Sequence, residues 1–137
     1  MFAEYSERAL AKNIHISYVF PESEIIVMTD SSAFHEVLDN LVSNAIKFSF
    51  PASQVLLEVV LTQNNSVRIC VKDSGPGLTK EDQSKLFGKF MRLSAQPTGG
   101  EHSTGLGLSI VKKLVEAMNG KIWCESEAGK GATFIIN

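Results

Sequence analysis

The sequence predicts an α/β domain: a mixed, largely antiparallel sheet packed against two substantial helices. Three observations carry this. Apolar residues recur with helical spacing from about residue 31 to Ser49 and again from Leu106 to Met118. Two β-rich runs, Val55 to Thr62 and Val67 to Asp73, flank a short polar turn at Gln63, Asn64, Asn65 and Ser66, as a hairpin does. Two further β-rich runs, Lys121 to Glu125 and Ala132 to Ile136, close the chain behind the second helix.

Taken in order, Ala3 to Asn13 is helix-compatible but has little apolar stripe of its own. It reads as the remnant of a preceding helix and linker, with the domain proper at residues 14–137. Ile14 to Phe20 alternates as a strand does, and Pro21 breaks it. Glu24 to Thr29 (EIIVMT) is a short β-rich run. Asp30, Ser31 and Ser32 offer N-cap side chains to the long helix, which Pro51 ends. A short helix fits Lys80 to Lys85. Met91 to Thr104 contains Pro97, Gly99 and Gly100 without periodicity, and a loop of that length tends to be functional or mobile. Asn119 and Gly120 terminate the second long helix.

Composition narrows the class. The chain has 137 residues, with 44% hydrophobic and 20% charged, enough for one domain with a real core. A formal net charge of −2 argues against nonspecific nucleic-acid binding, which needs a basic face. Cys70 and Cys124 sit in strand-like runs without metal-ligand spacing and read as buried, reduced thiols. No apolar run approaches the roughly twenty residues of a membrane span, and no signal-peptide pattern opens the chain. The expectation is a cytoplasmic domain that makes no membrane contact itself, whatever anchors its parent protein.

The stretch HEVLDNLVSNAIKFS, His35 to Ser49, carries the first chemical signal. Asparagine is a mediocre helix former because its amide competes for nearby backbone groups. Yet Asn40 and Asn44 stand in step there, with Glu36 one turn before and Lys47 one turn after. At 100° per residue the four fall within a wedge of about 80°. Phe34, Val37, Leu38, Leu41, Ala45 and Phe48 fill the arc beside it, while His35, Asp39 and Ser43 lie on the other flank. The wedge reads either as a solvated face or as a ligand-facing strip. Two amide oxygens, one carboxylate and one cation suit a hydrated Mg²⁺ bound to phosphates, since Mg²⁺ takes hard oxygen ligands and few of them from protein.

Two glycine motifs follow. DSGPGL, Asp73 to Leu78, is a sharp turn of little bulk at the end of a strand. It is either structural or a wall where a flat ring meets the backbone, with Asp73 accepting from an exocyclic amine. STGLGLSIVKKLVEAMNG, Ser103 to Gly120, places Gly105 and Gly107 where the long loop becomes a helix. Free N–H groups there favour phosphate over a plain hinge. GEHSTGL is not a P-loop, because Leu106 occupies the lysine position. No dinucleotide fingerprint, zinc spacing (His15, His35 and His102 are scattered) or nucleophile motif is present.

Together these residues resemble the sensor histidine kinases. HEVLDNLVSNAIKF resembles their N box, DSGPGL their G1 box, LFGKFMR (Leu86 to Arg92) their F box, TGLGLSIVKKLVEAMNGKI their G2 box, and GKGATF (Gly129 to Phe134) the last glycine box. Five motifs in order cover nearly the whole chain. The resemblance implies the Bergerat two-layer α/β sandwich of the superfamily that also holds gyrase, heat-shock chaperone and mismatch-repair ATPases, with Met91 to Thr104 as the ATP lid. It implies Asn44 as the Mg²⁺ ligand with Asn40 a turn before it, Lys47 at the phosphates and Phe48 beside the adenine. Asp73 would bind the adenine amine, with Gly75 and Gly77 shaping that wall and Thr133 near the ring. Phe90 and Arg92 would belong to the lid region, Arg92 reaching the terminal phosphate. Ser103, Thr104, Gly105, Leu106, Gly107 and Leu108 would cradle phosphates and cover the nucleotide.

Hydrolytic members of the superfamily carry a glutamate four residues before the magnesium asparagine. Here that position is Asn40, which is no strong general base. Catalysis would then rest on positioning and charge neutralisation by Asn40, Lys47 and Arg92, with Glu36 a weaker candidate for orienting the acceptor. The phosphoaccepting histidine is missing: His35 is followed by Glu36, but lies inside the N box on the wrong flank. The resemblance therefore implies the ATP-binding catalytic domain alone, donating to a histidine on a separate dimerisation domain and, through it, to a response regulator. A non-catalytic nucleotide-binding regulator and a hydrolytic ATPase are the alternatives.

Overall fold

A computed structural model of the chain describes residues 7, 9–21, 31–63, 66–87, 107–127 and 129–137. Among these, five strands form one sheet. The elements in chain order are β1 (His15–Val19), α1 (Ser31–Phe48), β2 (Gln54–Leu61), β3 (Val67–Lys72), α2 (Lys80–Lys85), α3 (Gly107–Ala117), β4 (Ile122–Ser126) and β5 (Ala132–Ile136). The strand order is β1-β2-β3-β5-β4. β1 runs parallel to β2, and every other neighbouring pair is antiparallel. The mixed, mostly antiparallel sheet matches the expectation. The run Glu24 to Thr29 lies outside the described residues.

Side chains alternate across the sheet. On one face Val71 stands opposite both Leu57 and Phe134, and Ile69 opposite Val59 and Ile136. This face meets α1, which packs on β3 and on α3. α1 turns Val37, Leu38, Leu41, Val42, Ala45 and Ile46 inward, and α3 adds Val111 and Val115. The buried arc is wider than the expected one, because Val42 and Ile46, on the flank away from Asn40 and Asn44, are buried as well. α2 is a single capped piece: Thr79 Oγ1 accepts from the Asp82 amide at 3.1 Å, and an Asp82 carboxylate oxygen accepts from the Thr79 amide at 3.4 Å.

The described part of the N-terminal segment is packed into the domain. Ala9 is only 2% exposed and belongs to the core. Asn13 adopts φ 57°, turning the chain from helix into β1. The two cysteines correct an expectation: both are free but half-buried rather than buried. Cys70 faces away from the helices beside Glu58 and Ile135, and Cys124 sits on edge strand β4 opposite Phe134 on the helix-facing side. β5 separates their strands, so no disulfide joins them. Among the described residues, no helix is long and apolar enough to cross a membrane.

Candidate functional site

A cleft open to solvent lies where the end of α1 meets the end of β3. It is lined by Asn44, Phe48, Asp73, Pro76, Gly77, Leu78, Leu86, Leu108, Ala132 and Phe134. Each wall follows from local sequence. Asn44 and Phe48 are four apart on α1 and project to the same side. Asp73 follows the last residue of β3, and its amide still donates to the Ala132 carbonyl at 2.9 Å. Gly77 takes φ 73°, which turns the chain so that Leu78 reaches the cleft and α2 can begin. Leu108 enters from the first turn of α3.

Asp73 is the polar centre of this apolar cleft and is 6% exposed. Its Oδ1 accepts from the Gly75 amide at 3.0 Å and from the Ala132 amide at 3.1 Å. Both bonds fall on one oxygen; among the described residues no donor reaches Oδ2. Burial pushes the Asp73 carboxyl above the ordinary carboxylate range, while the two amides pull it back down. The group is thus a fixed acceptor on one side and an available one on the other. Beside it, burial first and the Asp73 charge second push the Cys124 thiol up to about 12, so it stays protonated at neutral pH.

Backbone contact sets the turn around Asp73. A Cβ on Gly75 would stand 2.2 Å from the Phe48 carbonyl oxygen, and one on Gly131 would stand 2.4 Å from the Asp73 carbonyl oxygen. Gly131 also takes φ 81°. DSGPGL and GKGATF therefore meet, backbone against backbone, at the aspartate. Ser126 ties the same corner: its Oγ donates to the Gly131 carbonyl at 2.7 Å and accepts from the Leu78 amide at 2.9 Å.

Of the residues singled out in the sequence, Asn44, Phe48, Asp73, Gly77 and Leu108 come together in the cleft. Gly75 lies behind it, against α1. Asn40 and Lys47 are half-buried on α1 outside the lining, and Glu36 is exposed two turns before Asn44. The Asn40 Nδ2 donates to the Glu36 carbonyl at 2.9 Å, which leaves its amide oxygen as the remaining acceptor. Gly107 opens α3. Thr133 is not in the cleft. It pairs with Lys72 and Glu125 and lines the opposite face of the sheet, because one step along β5 reverses the side-chain direction; its neighbour Ala132 holds the cleft wall instead. Phe90, Arg92, Ser103, Thr104, Gly105 and Leu106 lie outside the described residues. Sequence reasoning missed Pro76, Leu78, Leu86, Ala132 and Phe134 as lining. Only their places beside recognised motifs could have signalled them.

Among the described residues no cluster of three His, Cys, Asp or Glu could hold a metal. A single amide side chain, Asn44, in the cleft lining fits a hydrated Mg²⁺ carried by phosphates, and does not fit an all-protein metal cage.

Residues 29–137 match the family described as histidine kinase-, DNA gyrase B- and HSP90-like ATPase. The chain belongs to this family. Among curated relatives of this ATPase family, it is 35% identical over 127 residues to the sensor histidine kinase WalK of Bacillus subtilis, covering 90% of this chain and 21% of that one. It is 36% identical over 125 residues to the adaptive-response sensory kinase SasA of Prochlorococcus marinus, covering 91% of this chain and 32% of that one. The chain thus spans about a fifth to a third of these two relatives. Among solved structures, the catalytic domain of histidine kinase ThkA superposes with a TM-score of 0.83 at 30% identity, over 98% of this chain and 84% of that one. Full-length ShkA, solved in complex with AMPPNP, gives a TM-score of 0.83 at 32% identity, over 98% of this chain and 27% of that one. The Bergerat sandwich inferred from the five motifs is therefore the fold of this ATPase family.

Proposed function

We propose that this chain is the ATP-binding catalytic domain of a sensor histidine kinase, which transfers the γ-phosphoryl group of Mg-ATP to a histidine on a separate dimerisation domain. One observation carries the reading: Asp73 stands in an apolar slot with one carboxylate oxygen held by two backbone amides and the other without a donor among the described residues. That arrangement suits a flat ring bearing an exocyclic amine, and the apolar walls from Phe48, Leu78 and Phe134 suit its faces. Residues 14–137 would be the nucleotide-binding unit, and residues 1–13 the end of a preceding helix and linker, of which Ala9 packs into the core.

The other roles follow from position. Asn44 would hold Mg²⁺, which when bound neutralises phosphate charge. Lys47, one turn beyond, would meet the phosphates as a point charge, and Arg92 the terminal phosphate. Gly105 to Leu108 would present helix-terminal amides to the phosphates. Asn40 in place of a carboxylate disfavours water activation, so the reading favours transfer over hydrolysis. ThkA has been solved in complex with the response regulator protein TrrA, at 28% identity to this chain; a response regulator is the downstream partner proposed here too.

The test supplies the chain with γ-labelled Mg-ATP and the histidine-bearing domain of its own parent protein. Acid-labile label on that domain supports the kinase. Binding without transfer supports a nucleotide-binding regulator, and fast turnover by the chain alone supports a hydrolase.

A further inference from the structure

The C-terminal turn of α1 carries Asn44 and Phe48 into the cleft, and its carbonyls need donors that the sequence withholds. The Ala45 carbonyl receives the Ser49 amide at 3.0 Å. The next two have lost their helical partners. The Phe50 amide, four residues after Ile46, donates instead to the Ser74 carbonyl at 3.3 Å. Residue 51, four after Lys47, is proline and has no N–H. Both carbonyls lie at the negative end of the helix dipole. Lys12 supplies the donors: its Nζ reaches the Ile46 carbonyl at 3.0 Å and the Lys47 carbonyl at 2.7 Å.

Lys12 is itself held. Its amide donates to the Ala9 carbonyl at 3.1 Å, and its carbonyl accepts from the Ala52 amide at 3.2 Å, just past Pro51. Ala9 is anchored in the core. The remaining side of the turn is fixed by Gly75 against the Phe48 carbonyl and by Ser49 Oγ, which accepts from the Ser74 amide at 3.0 Å. One face of the α1 terminus is thus gripped by the aspartate turn, and the other by a cation on the N-terminal segment.

We infer that Lys12 is a positioning residue for nucleotide binding: its ammonium group caps α1 and sets the placement of Asn44 and Phe48, so the N-terminal segment controls nucleotide affinity from outside the cleft. This rests on the nucleotide reading of the cleft. Lys12 acts through the carbonyls of the turn.

The experiment compares wild type, Lys12→Met and Lys12→Arg in the full chain by calorimetric titration with Mg-ATP, alongside thermal unfolding. All titrations are run where each variant is fully folded. Lys12→Met keeps the aliphatic stem and removes the donors; its Kd is expected to rise about three- to tenfold. Lys12→Arg restores donors and is expected to return Kd to within about twofold of wild type. A folded Lys12→Met that binds Mg-ATP as wild type does overturns the inference even if its melting temperature falls, because a purely structural role moves stability alone. Should Lys12→Met not fold, Lys12→Gln, with one amide donor on a shorter stem, takes its place under the same criteria. Wild type that fails to bind Mg-ATP would instead sink the nucleotide reading, which separates the two failures.

Discussion

The two faces of the sheet carry the same strands and do different work. Toward the helices, β3 and the residue after it present Ile69, Val71 and Asp73, and β5 presents Ala132, Phe134 and Ile136. Toward the other side they present Arg68, Cys70 and Lys72, and Thr133 and Ile135. On the helix side the apolar register runs without a break until Asp73, where a buried carboxylate interrupts it. On the other side charge is routine: the Arg68 guanidinium sits 5.3 Å from the Trp123 ring centre, and Glu58 and Glu125 flank the same groove. A charged residue is therefore informative only where the surrounding face is apolar, and Asp73 is such a residue.

The largest expected effect breaks the join behind the helix-side face. Gly75→Ala drives a methyl into the Phe48 carbonyl, and Gly131→Ala adds a left-handed strain to a clash with the Asp73 carbonyl. Each should cost on the order of 3 kcal/mol or more, measured by denaturant unfolding. Unchanged stability in either would mean that the two turns do not meet as described.

Asn44→Ala sharpens the comparison in the cleft lining. It is expected to weaken nucleotide binding in Mg²⁺ by about tenfold, or ~1.4 kcal/mol, and to change little in EDTA. Equal losses in both conditions would remove the metal assignment.

Asp73 itself gives a stability test with a defined sign. Its folded pKa is raised, so the native state holds its proton to higher pH than the unfolded chain does. Stability from this group therefore falls as pH rises from the ordinary carboxylate value through the raised one, and is level above it. Asp73→Asn should remove that slope and unfold no more easily than wild type at neutral pH, while losing nucleotide affinity. The opposite slope would contradict the buried environment.

The smallest effect belongs to the far face. Thr133→Val should alter stability by less than about 0.5 kcal/mol and leave Mg-ATP affinity within about twofold. A tenfold loss would return Thr133 to the cleft and overturn the register.

Thr133 also shows where sequence reading stopped. Helices, strands, the hairpin and the short α2 were legible from periodicity and caps, Asn44 and Asp73 from polar residues placed out of keeping with their surroundings, and Phe48 only from the family resemblance. The parity of β5 was not. GKGATF offers Ala132 and Thr133 as neighbours, and only the pairing of Lys72 with Thr133 decides which one faces the aspartate. The cleft's apolar lining was equally hidden, because Leu78, Leu86 and Phe134 are ordinary core residues until the fold leaves a space between them. Lys12 carried no signal at all: its value lies in two carbonyls 34 and 35 residues away.

The central claim is that the Asp73 carboxylate reads an exocyclic amine in the cleft. Calorimetric titration of wild type and Asp73→Asn with Mg-ATP and Mg-ITP tests it most directly, since inosine carries a carbonyl where adenine carries the amine. Wild type should prefer ATP by about a hundredfold, and Asp73→Asn should bind ATP at least tenfold more weakly, with the preference reduced to about tenfold or less. Asp73→Asn binding ATP as tightly as wild type, with the preference intact, would contradict the account.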